Sequence, residues 1–212
     1  MEYWDKYYSI DNTRNITYPS QFAAFVAGEI EQNSFIIDIG CGNGRDSIFF
    51  ASRAHKVYAI DSSSEAIKSC ENSIVGFKNE IKFAISNIGH DKTYQDLKIK
   101  FLEYKENLPI VLYSRFFLHA ISEDLQNKLL IELYKLSKIN PIIFFLEFRT
   151  QRDVNLKKET SDHYRRYIVP TDLINKALKI GFELTYQVEG FGFAKYRSDD
   201  AYVARIIFRS GC

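Results

Sequence analysis

The sequence predicts an α/β fold, a mostly parallel sheet with helices on both faces. Three observations predict it. Phe35 to Ile39 is a short β-branched run that ends in glycines, as a buried parallel strand does. A helix-spaced segment and a second apolar run, Lys56 to Ile60, follow and close on Asp61, giving a strand–turn–helix–strand unit. Apolar runs then keep alternating with helical patterns, until two long runs, Phe182 to Val188 and Tyr202 to Phe208, finish the sheet.

Residues 1–33 precede the first strand and are crowded with aromatics: Tyr3, Trp4, Tyr7, Tyr8 and Tyr18. Pro19-Ser20 reads as the start of a helix over Gln21 to Ile30, with Phe22, Phe25, Val26 and Ile30 on its apolar face. After strand one, Gly40, Gly42 and Gly44 permit positive φ and close backbone approach, so a tight turn can set amide N–H groups against a ligand. Asp46 to Arg53 is a helix, strand two runs to Asp61, and Ser62-Ser63-Ser64 caps a helix over Glu65 to Ile74. Ile81 to Ile85 is strand three. Tyr94 to Tyr104 is an outer helix with Leu97, Phe101 and Leu102 inward. Leu108 to Tyr113 is strand four, followed by Ser114-Arg-Phe-Phe-Leu-His119. Ser122-Glu-Asp-Leu caps a helix to about Ser137, with Leu125, Leu129, Leu133 and Leu136 inward. Pro141 opens strand five, which ends at Glu147-Phe-Arg149-Thr. Residues 150–169 then interrupt the alternation as a polar insertion, before a helix capped by Thr171-Asp172 and stopped by Gly181.

Size and charge narrow the possibilities. The chain has 212 residues, 46% hydrophobic, enough for one α/β domain with a sizeable core and no second catalytic domain. Its 28 basic and 27 acidic residues nearly cancel, so no global field favours nucleic acid. Cys41, Cys70 and Cys212 lie far apart without metal-ligand spacing, which fits a reduced cytoplasmic protein, and no acidic cluster makes a magnesium site. No segment is apolar enough to span a bilayer.

The glycine spacing selects the ligand. A dinucleotide fingerprint needs its third glycine where this chain has Arg45, and seats a pyrophosphate on the helix N-terminus. Here the run is Asp38-Ile-Gly40-Cys41-Gly42-Asn-Gly44, and a carboxylate at Asp38 repels pyrophosphate but attracts an ammonium group. This run resembles the first motif of the class I S-adenosylmethionine-dependent methyltransferases, and Asp61 matches their ribose-binding acid. The resemblance implies a Rossmann-like sheet of seven strands in the order 3-2-1-4-5-7-6, with the last strand antiparallel. It also implies S-adenosylmethionine as cofactor, S-adenosylhomocysteine as product and an in-line SN2 transfer.

Residue by residue, it places Asp38, Gly40, Cys41, Gly42, Asp61 and Ser62 at the cofactor, Asn87 at the adenine amino group and Ile88 over the ring. Ser114 and Arg115, after strand four at the methyl-transfer end, are further cofactor contacts. Residues 1–33 become a lid on the cofactor, with Trp4, Tyr8 and Tyr18 as contacts, or else an arm packed on the domain. His119, His163 and Glu147 are the candidate general bases, His119 first because its reference pKa of about 6.5 suits neutrality. Arg115, His119, Glu147, Arg149, His163, Tyr164, Arg165 and Arg166 are the candidate substrate contacts, the arginines as an anion clamp.

The combination Tyr-Trp-Asp-Lys-Tyr-Tyr, Tyr-Ser-Arg-Phe-Phe-Leu-His, Glu-Phe-Arg and His-Tyr-Arg-Arg-Tyr-Ile is similar to a bacterial subgroup linked to capsule and surface-glycan biosynthesis. That likeness implies O-methylation of a small anionic metabolite or nucleotide-linked precursor. A transfer-RNA methyltransferase and a non-catalytic cofactor-binding module are the alternatives. The Asn/Asp-Pro-Pro-Tyr motif of enzymes that methylate nucleobase amino groups is absent after strand four.

Overall fold

The computed structural model describes residues 2–9, 18–159 and 163–210. Seven strands form one sheet: β1 (Phe35–Ile39), β2 (Lys56–Asp61), β3 (Ile81–Ile85), β4 (Ile110–Arg115), β5 (Ile142–Arg149), β6 (Phe182–Gly190) and β9 (Val203–Ser210). Their order is β3-β2-β1-β4-β5-β9-β6, with β9 antiparallel to both its neighbours. Two short strands, β7 (Lys195–Tyr196) and β8 (Asp199–Asp200), form a separate hairpin between β6 and β9. Leaving that hairpin out of the count, the expected order 3-2-1-4-5-7-6 is the observed one.

Side-chain alternation along the strands builds two cores. Ile36, Val57, Val111 and Phe145 face α2 (Gln21–Glu29), α3 (Arg45–Ser52) and α4 (Ser64–Ser73) on one side. Ile37, Ile60, Leu112 and Phe144 face α5 (Asp91–Glu103), α6 (Glu123–Leu136) and α7 (Pro170–Ile180) on the other. A parallel strand buried on both faces reads as an unbroken apolar run, which is why β1, β4 and β5 lack polar alternation. A short helix at the N-terminus, α1 (Glu2–Ser9), packs outside this framework against α4.

Several element ends move from their expected places. The α7 N-cap is Val169 with Pro170 in the first turn, so Thr171 and Asp172 sit inside the helix and do not cap it. Helix α5 begins three residues before Tyr94, and Leu102 is 48% exposed, one position off the stripe that buries Leu97 and Phe101. The insertion opens with a turn of 3-10 helix at Gln151–Asp153, pinned by a bridge between Thr150 and Ile168. Residues 10–17 of the expected lid, residues 160–162 of the insertion and Cys212 lie outside the described residues.

Candidate active site at the carboxyl edge of the sheet

The turn after β1 is built from left-handed residues: Gly40 has φ +80°, Gly42 +54° and Gly44 +73°. Its amides do not point at an open ligand space, as the glycine pattern led us to expect. Gly40 and Cys41 both donate to the Ile60 carbonyl, at 2.8 and 3.1 Å, and Gly42 donates to Asp61 Oδ2 at 2.9 Å. The first three amides of the turn thus fasten β1 to the end of β2, and the Gly44 amide donates back to the Cys41 carbonyl. Asp61 Oδ1 accepts from Ser63 N at 3.0 Å, and the Ser62 amide also faces the carboxylate. A carboxylate has about four acceptor positions, so capacity remains for ribose hydroxyls. Burial raises the Asp61 pKa against these backbone donors.

Asp38 lies beneath the turn, 2% exposed, and accepts from Ser47 Oγ of α3 at 2.5 Å. Burial pushes its pKa up to about 8, with Asp46 and Asp61 adding to the rise. Cys41 and Cys70 both point their thiols at the Gly42 carbonyl, at 3.8 and 3.2 Å, and burial holds the Cys41 thiol well above its ordinary pKa. That thiol is a packing group, not a nucleophile.

Helix α1 covers this turn. Ser63 Oγ donates to Asp5 Oδ1 at 2.6 Å, and a Cβ added at Gly42 would lie 2.3 Å from the Tyr8 hydroxyl. Burial and the Asp61 carboxylate keep Tyr8 protonated, well above the usual phenol range. The same helix reaches the insertion, where Tyr3 stacks on His163 at 4.4 Å and Trp4 meets it edge-on at 5.0 Å. Trp4 also stacks on Tyr8 at 6.1 Å. Tyr18 is 65% exposed and takes no part in this aromatic group, so the cover over the turn is made by Trp4 and Tyr8 without it.

At the β4 end, Ser114 Oγ is buried and donates to the Ile39 carbonyl at 3.0 Å, a tie between strands and not a ligand contact. Arg115 gives its Nε to Glu147 Oε1 at 2.9 Å. Glu147 Oε2 accepts from Arg205 Nε at 2.8 Å, and the residue is 1% exposed. The pairing at this edge is therefore buried, and Glu147 is no general base: both its oxygens are held by guanidiniums, which work against the rise that burial imposes on it. Arg149 does not pair with Glu147. Its two terminal amines go to Asp153 at 2.7 Å and Asp199 at 2.5 Å, which removes it from an anion clamp.

His119 is 4% exposed, and its Nδ1 accepts from the Arg149 amide at 3.3 Å. An accepting Nδ1 places the ring proton on Nε2, so the free side of the ring is a donor. Burial, then Arg149 and Arg165, hold its pKa well below 6.5. This fixed neutral tautomer cannot serve as the expected base through Nε2. Of the expected Arg165–Arg166 clamp, Arg166 is spent elsewhere. Arg166 turns inward to Gln126 Oε1 at 2.6 Å and to the Leu118 and Ile121 carbonyls, bracing the turn that carries His119. Tyr164 is 60% exposed. Asn87 Oδ1 accepts from the Gly89 amide at 2.8 Å, and Ile88 is buried in the core with Leu118 and Leu129.

Ser47, Asp46, Tyr113 and Arg205 were missed. Asp46 accepts from Ser20 N at 2.8 Å, Ser20 Oγ at 2.7 Å and Tyr113 Oη at 2.7 Å, joining α2, α3 and β4 behind the turn. Burial raises it, but Arg115, Arg45 and these donors outweigh that and leave its carboxyl below the ordinary range. An acid in the first turn of a helix and a serine at an N-cap were visible as local signals; their meeting was not. Among the described residues no group of three metal-binding side chains forms, and no helix is long and apolar enough to cross a membrane.

Comparison with known proteins follows the same lines. Residues 30–184 match the model of a methyltransferase domain family. A search of curated protein sequences finds no match. Among solved structures, an S-adenosylmethionine-dependent methyltransferase of Methanosarcina mazei is similar, at TM-score 0.66 and 16% identity, covering 88% of this chain and 96% of that one. A TehB-like methyltransferase of Corynebacterium glutamicum aligns at TM-score 0.63 and 14% identity over 100% and 97% of the two chains. The magnesium protoporphyrin IX methyltransferase of Synechocystis with bound S-adenosylmethionine aligns at 0.61 and 15% over 90% and 76%. With the family model covering most of its length and the sheet order agreeing, this chain belongs to the methyltransferase domain family, enzymes that take their methyl group from S-adenosylmethionine.

Proposed function

We propose that the protein methylates an oxygen of a small anionic acceptor, a phosphorylated or nucleotide-linked precursor of a bacterial capsule or surface glycan. One observation carries the cofactor side: the Gly40, Cys41 and Gly42 amides of the turn are spent on the end of β2, while two acids, Asp38 and Asp61, adjoin it. Such a turn suits hydroxyls and an ammonium, and disfavours a pyrophosphate. These groups fit S-adenosylmethionine, with Asp61 for the ribose, Asp38 for the amino end and α1 for the cover. When bound, that cofactor supplies a methyl group on a positively charged sulfur.

The acceptor side rests on two of the expected bases being committed to other bonds. Glu147 has both oxygens bonded, and His119 presents a donor. An acceptor whose oxygen is already ionised needs neither; it needs holding in line. Arg115 supplies that hold. Its Nε is bonded to Glu147, its two terminal amines have no partner among the described residues, and its side chain is 20% exposed. His119 Nε2–H and Arg165 supply further positive potential around the Phe116 ring, which lies 4.4 Å from the Arg115 guanidinium and 5.3 Å from the imidazole. The glycan link rests on the motif likeness set out above.

Calorimetry with S-adenosylhomocysteine tests the cofactor. Micromolar binding that Asp61→Ala reduces at least about tenfold, or roughly 1.4 kcal/mol, is expected. Binding of a phosphorylated nucleotide at the turn, with none of the homocysteine compound, would refute it.

A further inference from the structure

Arg205 extends this site in a way the catalytic strands alone do not show. It lies on β9, 5% exposed, in a box of three rings, with Phe22 and Phe25 of α2 at 5.3 Å and Phe193 at 5.0 Å. Its Nη2 donates to the Phe193 carbonyl at 2.7 Å, and its Nε to Glu147 Oε2 at 2.8 Å. Glu147 is therefore shared. Arg115 Nε donates to one oxygen, and Arg205 Nε donates to the other.

A carboxylate left alone with a guanidinium closes on it as a two-bonded fork, and the pair is then neutral. With Arg205 in place, Glu147 grips Arg115 by one bond only. Both terminal amines of Arg115 stay available, and Arg115, Arg205 and Glu147 taken together carry +1, with the nearby Asp46 carboxylate unchanged by any variant below. We infer that Arg205 is a positioning residue for acceptor specificity: by competing for Glu147, it keeps the group net positive and the Arg115 terminal amines open toward an anionic acceptor. This rests on the anionic acceptor proposed above.

Charge arithmetic separates this role from simple packing. Arg205→Met leaves Glu147 to Arg115 and takes the cluster from +1 to 0. Arg205→Met with Glu147→Gln returns it to +1 and leaves no unpaired buried carboxylate. Inorganic phosphate is the probe, titrated by calorimetry into full-length protein saturated with S-adenosylhomocysteine. We expect wild type to bind it, Arg115→Met to lose binding, Arg205→Met to bind at least about tenfold more weakly, and the double variant to recover to within about threefold of wild type. Affinity for S-adenosylhomocysteine should stay the same in Arg205→Met and in the double variant. Equal phosphate binding by wild type and Arg205→Met would overturn the role of Arg205 and leave the proposed function standing. A double variant that folds, binds the cofactor product and still fails to recover phosphate would reduce Arg205 to packing. Wild type that binds the cofactor product but no phosphate would overturn both the anionic acceptor and this inference. Should Arg205→Met fail to fold, Arg205→Gln, alone and with Glu147→Gln, makes the same comparison.

Discussion

Asp38 gives the sharpest expectation for a single side chain. Its carboxyl is pushed up to about 8 by burial, so it is protonated at neutral pH in the free protein. An incoming ammonium favours the ionised form and draws that proton off. Titrating S-adenosylhomocysteine at pH 7 in buffers of different ionisation enthalpy should show release of about one proton, and Asp38→Asn should abolish the buffer dependence. A binding heat identical in all buffers would count against the assignment. The sign for stability follows from the same shift. The native state holds this proton over a pH range where the unfolded chain has lost it. The contribution is complete below the ordinary carboxylate range and is lost as pH rises toward about 8. His119 makes the opposite kind of prediction. With its pKa well below 6.5, kcat should show no histidine step between roughly pH 6 and 7. A step there that vanishes in His119→Gln would restore it as a base.

At the scale of elements, α1 is the part most separable from the fold. It touches α4 through Asp5 and Ser63, the turn through Tyr8 and the insertion through Tyr3 and Trp4, while both cores lie elsewhere. Removing residues 1–9 should leave thermal stability within a few degrees of wild type and speed release of S-adenosylhomocysteine about tenfold or more in stopped flow. An unaltered release rate would make α1 an ornament on α4. Gly42→Ala tests the turn beneath. The new methyl would sit 2.3 Å from the Tyr8 hydroxyl at a φ of +54°, so α1 must shift, at a cost of about 1–3 kcal/mol. Cofactor-product affinity should fall with it, and Tyr8→Ala in the same chain should recover part of the loss.

Over the whole molecule, Asp46 is the joint between layers. Its carboxylate holds α2 through Ser20 and β4 through Tyr113, and its pKa lies below the ordinary range. The stability it adds is therefore present above about pH 4 and lost as pH falls through the native pKa. Asp46→Asn should cost about 2 kcal/mol or more at pH 7 by chemical denaturation and flatten the acid limb of the stability curve. A variant as stable as wild type at neutral pH, with the same acid limb, would show the joint to be unnecessary.

The sequence alone determined the sheet and the cofactor turn. Those signals are local: an apolar run ending in three glycines, an acid closing the next strand, and alternation of strand and helix periods need no partner to be read. The two buried strand faces and the end strand inserted antiparallel follow from those patterns and from the family likeness. Tertiary structure alone decided which charges are available. Arg149 and Arg166 look the same as Arg115 in a sequence, yet two are consumed by Asp153, Asp199 and Gln126, residues distant in spacing or hidden in the insertion. Glu147 and His119 stand where bases were expected, but contacts with Arg205 on the last strand and with a backbone amide take their lone pairs. Whether a polar atom can act depends on what else reaches it within about 3 Å, and chain order does not carry that distance.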